Sequence, residues 1–364
     1  MTGKTTIEWA TMSWNPSVGC TRVSAGCDNC YAFALHDKRY AANLKASTAL
    51  PYDREKGPGG PYKPAGARAI GAALPWPRQY DLPFSRVQLL PDRLDDPLHH
   101  RRPERYFVDS MSDLFHEDVL DSFIDLVFFT MSFATWHTFL VLTKRPERMR
   151  LYMESAGPMR REFLPEGWAK AHLRHIDGTD LGKLMAGQVP YAWPPPNVWL
   201  GTSVEDQRSA DERIPHLLET PAAVRFISAE PLLGPVTLGA WIAPPGHAIV
   251  VCPSCKQQRW HGSGSCGACG APPPAGIDWV IVGGESGPRA RPMDLAWARS
   301  LRDQCAAAGV ACFVKQLGSA PQTLDGGRDG VIGQMDLHES HGRDMDEWPE
   351  DLRVREFPKQ EVAV

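Results

Sequence analysis

No apolar run in this 364-residue chain approaches the roughly 20 residues that a membrane-spanning helix needs. The segment Met1–Trp14 has neither an apolar signal core nor a small-residue cleavage site, which argues against export. An excess of positive charge is missing too. Formal net charge is −4, so no global field marks a nucleic-acid binder. Arg101, Arg102 and Arg105, or Lys144, Arg145 and Arg148, could line a local basic groove, although solvated surface accounts for them as well. No repeat period is evident. These absences point to a reducing cytoplasm, where nine cysteines read as metal ligands or buried thiols and not as disulfides. The rest of the composition is that of a globular protein, with 43% hydrophobic and 23% charged residues. It suffices for one large α/β domain with insertions, or for two ordinary domains.

Six short apolar runs read as strands: Tyr106–Asp109, Thr138–Leu142, Val198–Gly201, Val224–Ser228, Trp279–Val282 and Cys312–Lys315. They are continuous and not alternating, the pattern of parallel strands covered on both faces. A further strand near Thr6–Thr11 leads into the first cysteines. Amphipathic stretches at Leu120–Phe133, Asp206–Leu218 and Asp294–Ala308 lie between them. This strand–loop–helix rhythm predicts an α/β fold, a parallel sheet wound with helices and either open or curled into a barrel. The barrel core covers 1–242 and 277–320. It is interrupted by long inserts at 49–80 and 151–196 and by a Pro/Gly/Cys-rich insert at 243–276; the polar segment 321–364 is expected to pack on the core.

Polar residues gather just past the strand ends. They include Ser110 and Asp113, Thr143 with Lys144, Ser203 with Glu205, then Glu230, Gly283–Glu285 and Gln316. In parallel α/β folds the carboxyl ends of the strands are where ligands bind, because the loops there converge. Solvated turns explain any one such group. Six in succession argue for a shared site.

Cys20, Cys27 and Cys30 form a C-x6-C-x2-C cluster, with Gly19 and Gly26 directly before the first two. The glycines are expected to permit turns that point the thiolates at one centre. Three sulfurs without a near fourth ligand suit a four-iron cluster with one open iron. Spacing alone also admits zinc held by the three cysteines and His36, or buried structural thiols.

The stretch Trp14–Tyr31 resembles the signature of a bacterial and phage three-Cys-motif family of unassigned function. The resemblance continues through Asp109–His116, Leu142–Pro146, Gly201–Glu205, Ala229–Gly234, Gly283–Gly287 and Lys315–Gln316, and so covers nearly the whole chain outside the inserts. That family is in turn similar to radical S-adenosylmethionine enzymes. The first cysteine gap here is longer than their common C-x3-C-x2-C, and Tyr31 follows the last cysteine where they place an aromatic before it. The resemblance implies a partial or full (β/α) barrel with the cluster loop after the first strand. It also implies a [4Fe-4S] cluster, S-adenosylmethionine as cosubstrate and an electron donor such as a flavodoxin or ferredoxin. Under it, Ser203, Glu205, Glu230, Gly283, Gly284 and Glu285 hold the cofactor. Asp113 and His116 relay a proton, and Lys144 or Lys315 meets a carboxylate or phosphate.

A second cluster, Cys252, Cys255, Cys266 and Cys269, consists of two C-x2-C knuckles ten residues apart. Four thiolates on two short turns predict a structural zinc ribbon, with iron in a rubredoxin-like site as the other candidate. The segment has too few apolar residues for a core, so metal would supply its folding energy. Lys256, Arg259, Trp260 and His261 between the knuckles could touch nucleic acid, or be solvated decoration. Cys305 and Cys312 read as core thiols. Two function classes follow. One is a radical enzyme modifying a substrate such as a nucleobase or nucleic acid. The other is a non-catalytic, zinc-dependent nucleic-acid-binding or scaffold protein, which leaves the strand-end carboxylates and lysines unexplained. A zinc hydrolase using Glu205 or Glu230 ranks behind both.

Overall fold

The structure is a computed structural model and describes residues 2–49, 79–80, 82–155, 193–242, 276–323 and 333–358. The second cysteine cluster and most of the three inserts lie outside these residues. The chain divides into two compact units, residues 1–143 with 151–199 and residues 144–150 with 200–364.

In the first unit, β1 (Gly3–Lys4) pairs antiparallel with β2 (Met12–Trp14). β2 then runs parallel to β5 (Arg105–Val108), and β5 parallel to β6 (Thr138–Thr143). A small antiparallel pair, β3 (Ser17–Val18) and β4 (Gln88–Leu89), lies between β2 and β5 in sequence. Phe139, Leu140 and Val141 of β6 are buried in succession, as a strand covered on both faces requires, whereas β5 alternates, with Tyr106 and Val108 buried and Arg105 and Phe107 partly exposed. The expected strand at Thr6–Thr11 is not formed. Ala10 donates to Ile7 O and Thr5 to Thr11 O, so those residues are the hairpin connection and pairing begins at Met12. The short run has too few apolar side chains to resist that turn. Helix α1 (Tyr31–Ala49) follows the cysteines, and α2 (Asp121–Phe133) buries eight side chains from Phe123 to Met131. The Asn197 amide donates to Met131 O, Ala134 O and His137 O, serving carbonyls that the end of α2 leaves unpaired. Helix α3 (Pro146–Ser155) and strand β7 (Val198–Ser203) each span the boundary between units.

In the second unit β8 (Val224–Ala229), β9 (Trp279–Gly283) and β11 (Ala311–Gln316) are parallel neighbours. Helix α4 (Gln207–Glu219) opens on a capping box. Asp206 accepts from Ser209 N while Ser209 Oγ accepts from Asp206 N. Helix α5 (Leu295–Ala308) ends at Gly309 in the left-handed region, φ 68°, where glycine carries no Cβ penalty. A three-stranded sheet joins β10 (Met293–Asp294), β12 (Pro321–Thr323) and β13 (Gly333–Gln334). Past it the chain returns beside β11. Val314 donates to Val354 O, Glu356 to Cys312 O, and Trp279 Nε1 to Glu356 O.

The fold is α/β with mostly parallel strands. Among the described residues neither set of strands closes into a barrel, and no helix is long and apolar enough to cross a membrane.

Candidate functional site: the cysteine loop and the strand ends

The cysteine loop belongs to the first unit. Gly19 is left-handed at φ 105°, and a Cβ there would stand 2.4 Å from Arg86 O, so only glycine fits before Cys20. Gly26 differs from expectation. It sits inside the short 3₁₀ turn Ala25–Cys27 and has no left-handed backbone, because a 3₁₀ turn is right-handed and open to any residue. Cys20 N donates to Phe84 O at 2.9 Å. Cys27 is buried, while Cys20 and Cys30 are half-buried; none of the three is in a disulfide, and Cys20 Sγ donates to Thr21 O at 3.4 Å. Cys30 O accepts from Ala34 N, so Cys30 caps α1 and its sulfur lies at the helix end that favours negative charge. Arg22 lies over the Phe33 ring and donates from Nε to Cys27 O.

Asp109, the residue after β5, has φ 57°, unusual for a side chain with a Cβ, and is almost fully buried. Its carboxyl meets Ser17 twice, at N (3.1 Å) and at Oγ (2.9 Å). Burial pushes that carboxyl up from 3.8 to about 7, although both Ser17 contacts favour the ionised form; the Asp113 charge adds to the rise.

Asp113 and His116 sit in the same unit, and both are buried. Asp113 accepts from Thr143 Oγ1 at 2.7 Å and from Phe115 N at 3.0 Å. His116 Nδ1 accepts from Asp118 N, and its Nε2 is 2.9 Å from Thr21 Oγ1, next to Cys20. His36 is completely buried against Tyr80 and Phe84, and its ring nitrogens have no hydrogen-bond partner among the described residues. Burial lowers its pKa. Among the described residues no three His, Cys, Asp or Glu side chains form a group that could hold a metal ion. Cys20, Cys27 and Cys30 are described residues too, so the expected convergence of the three thiolates on one centre is not formed among the described residues, with or without His36 as a fourth ligand.

The second unit carries the remaining strand-end groups. Glu205 is buried beneath two cations. Arg213 Nη1 lies 3.0 and 3.2 Å from its oxygens, and Lys144 Nζ pairs with Oε1. Arg213 also donates to Ser203 O at 2.8 Å. Glu230 Oε1 accepts from Lys315 Nζ (2.5 Å) and Gln316 Nε2 (3.1 Å), and Gln316 Nε2 also reaches Gly284 O. The Glu230 carboxylate lies flat on Gly283, where a Cβ would sit 3.2 Å from it. Gly284 is needed for a different reason, since a Cβ there would be 2.1 Å from Leu317 O. Glu285 accepts three bonds from Arg291 (N, Nε and Nη2, 2.6–2.9 Å), so its carboxylate folds its own loop.

Glu230, Lys315, Gly283 and Gly284 thus come together, as do Lys144, Ser203 and Glu205. Asp109, Ser17, Arg213 and Arg291 escaped sequence reasoning. Arg213 left one trace, a cation two helical turns beyond Glu205 on the apolar face of α4, where Ala210, Ile214 and Leu217 are buried.

A family model described as protein of unknown function DUF5131 matches residues 4–349. The chain belongs to that family. No curated protein and no solved structure matches it. The DUF5131 match spans the cysteine loop and every strand-end group described above.

Proposed function

We propose that this protein is a radical S-adenosylmethionine enzyme whose [4Fe-4S] cluster is held by Cys20, Cys27 and Cys30, on a partial (β/α) barrel. The observation that carries this reading is a loop of three cysteines outside any disulfide, its backbone held by strand-end contacts and by the start of a helix. Three thiolates are the donor set that a four-iron cluster with one open iron takes. When bound, the cluster and cofactor supply one-electron cleavage of the sulfonium. That chemistry would yield methionine and a 5′-deoxyadenosyl radical able to take hydrogen from a substrate. The electron comes from a donor such as a flavodoxin or ferredoxin.

The chain's own residues do the positioning. Both described bonds to Glu230 fall on Oε1, which leaves Oε2 for a ribose hydroxyl or an ammonium group, while Lys315 beside it offers donors to a carboxylate. Lys144 and Ser203 border a second polar end around Glu205. The four knuckle cysteines Cys252, Cys255, Cys266 and Cys269 hold a separate structural zinc.

Anaerobic reconstitution with iron and sulfide tests the proposal. The expected result is about four irons and one zinc per chain, with 5′-deoxyadenosine released on reduction in the presence of S-adenosylmethionine. A colourless protein with about two zinc atoms, purified without oxygen, would refute it and favour the non-catalytic reading.

A further inference from the structure

Both ends of the cysteine segment dock on a single turn, residues Asp109 to Ser112. At the near end Asn15 Oδ1 accepts from Met111 N (2.8 Å) and Ser110 Oγ (3.1 Å). Gly19 and Ser112 form an isolated bridge, with Gly19 N donating to Met111 O and Ser112 Oγ donating to Gly19 O at 2.8 Å. At the far end Tyr31 OH donates to Ser110 O at 2.7 Å. Ser17 Oγ stands 2.9 Å from both Asp109 Oδ2 and Ser112 Oγ. A hydroxyl has one hydrogen to give. Ser17 Oγ therefore gives its hydrogen to one of the two at a time, while Ser112 gives its own to Gly19 O. The row runs from the buried Asp109 carboxyl through Ser17 and Ser112 to the residue before Cys20.

We propose that the row Asp109–Ser17–Ser112–Gly19 is the positioning device of the cysteine loop, fixing the Cys20 backbone before any metal arrives and governing how firmly Cys20 keeps its iron. The inference rests on the cluster reading for its second half only. Asp109 and Ser112 are positioning residues; neither touches a sulfur in any described contact. An exposed loop that needed metal to fold would have no reason to bury a carboxyl in a left-handed backbone.

Two readouts on the full chain decide it. In metal-free protein, the rate of iodoacetamide labelling at Cys20, followed by peptide mass spectrometry, should rise about fivefold in Ser112→Ala, the factor carried by one lost hydrogen bond. Labelling of Cys305, buried elsewhere, should stay unchanged, and Ser112→Thr should restore the slow rate. Asp109→Asn, whose amide can head the same chain, should keep it within about twofold. Ser112→Ala labelled at the wild-type rate overturns the proposal. In reconstituted protein, Ser112→Ala should lose iron to a ferrous chelator about fivefold faster and alter the electron paramagnetic resonance line shape. Wild-type release and line shape in that variant would refute the iron half. Wild type that binds no iron removes the cluster reading, with the labelling experiment still deciding the clamp.

Discussion

Replacing Asp109 with asparagine should stabilise the protein, and increasingly so as pH rises. The carboxyl ionises at 3.8 in the open chain and at about 7 in the fold, chiefly because burial strips its water. Between those values the folded state holds a proton that the unfolded state has released, so folding stability falls as pH climbs through the window. Above about 7 the loss is complete. At roughly 1.4 kcal/mol per pH unit, the linkage penalty is about 2 kcal/mol near pH 5 and about 4 kcal/mol near pH 8. The neutral amide has no such penalty and keeps the contacts to Ser17. The stability difference between variant and wild type should therefore widen by about 2 to 3 kcal/mol from about pH 5 to about pH 8. For a unit of this size that is a relative shift in Tm of roughly 5–10 °C. Matched thermal scans of both proteins at the two pH values measure it, because titrating groups that Asp109 does not touch electrostatically cancel in the comparison. A difference constant to within about 0.5 kcal/mol would show that Asp109 is ionised in the fold and refute the linkage argument.

Other substitutions probe the second unit and the loop glycine. Arg213→Met leaves Glu205 buried with Lys144 as its remaining described cation, and should cost about 3–5 kcal/mol in urea unfolding; near-wild-type stability would mean that Glu205 is neutral or hydrated. Gly19→Ala forces a Cβ to 2.4 Å from Arg86 O at φ 105°, so iron uptake should be lost with at least about 2 kcal/mol of stability. Full iron content in that variant would refute the loop geometry. Glu230→Gln should keep full iron content while raising the S-adenosylmethionine requirement for 5′-deoxyadenosine release about tenfold or more; an unchanged requirement would remove Glu230 from the cofactor site.

The strands and helices of this protein are largely legible in its amino-acid sequence. β8 begins at Val224 and α5 ends at Ala308, as their apolar patterns indicate, and most other bounds agree within one or two residues. Continuous apolar runs and a helical apolar stripe are local properties, and the shortness of the runs, four or five residues each, separates strand from helix where the period does not. Caps are local as well. Asp206 with Ser209, and Gly309 past α5, announce helix ends through side-chain chemistry within a few residues. Thr6–Thr11 is one exception, because Glu8 and the threonines leave it no continuous apolar run, and helices α1 and α3 are not among the elements the pattern announces.

Partnership is decided elsewhere. Nothing near Glu230 says that its cation is Lys315, 85 positions later, or that Glu285 is occupied by Arg291 while Glu230 keeps an oxygen to spare. Ser17 and Asp109, 92 positions apart, meet only because β2 and β5 pair in parallel and deliver their loops to the same end. Which types of residue stand at the strand ends is therefore written in the chain. Which of them neutralise one another, and which are left able to bind, depends on strand order and register, since charge pairing falls off over a few ångströms while sequence separation carries no distance at all.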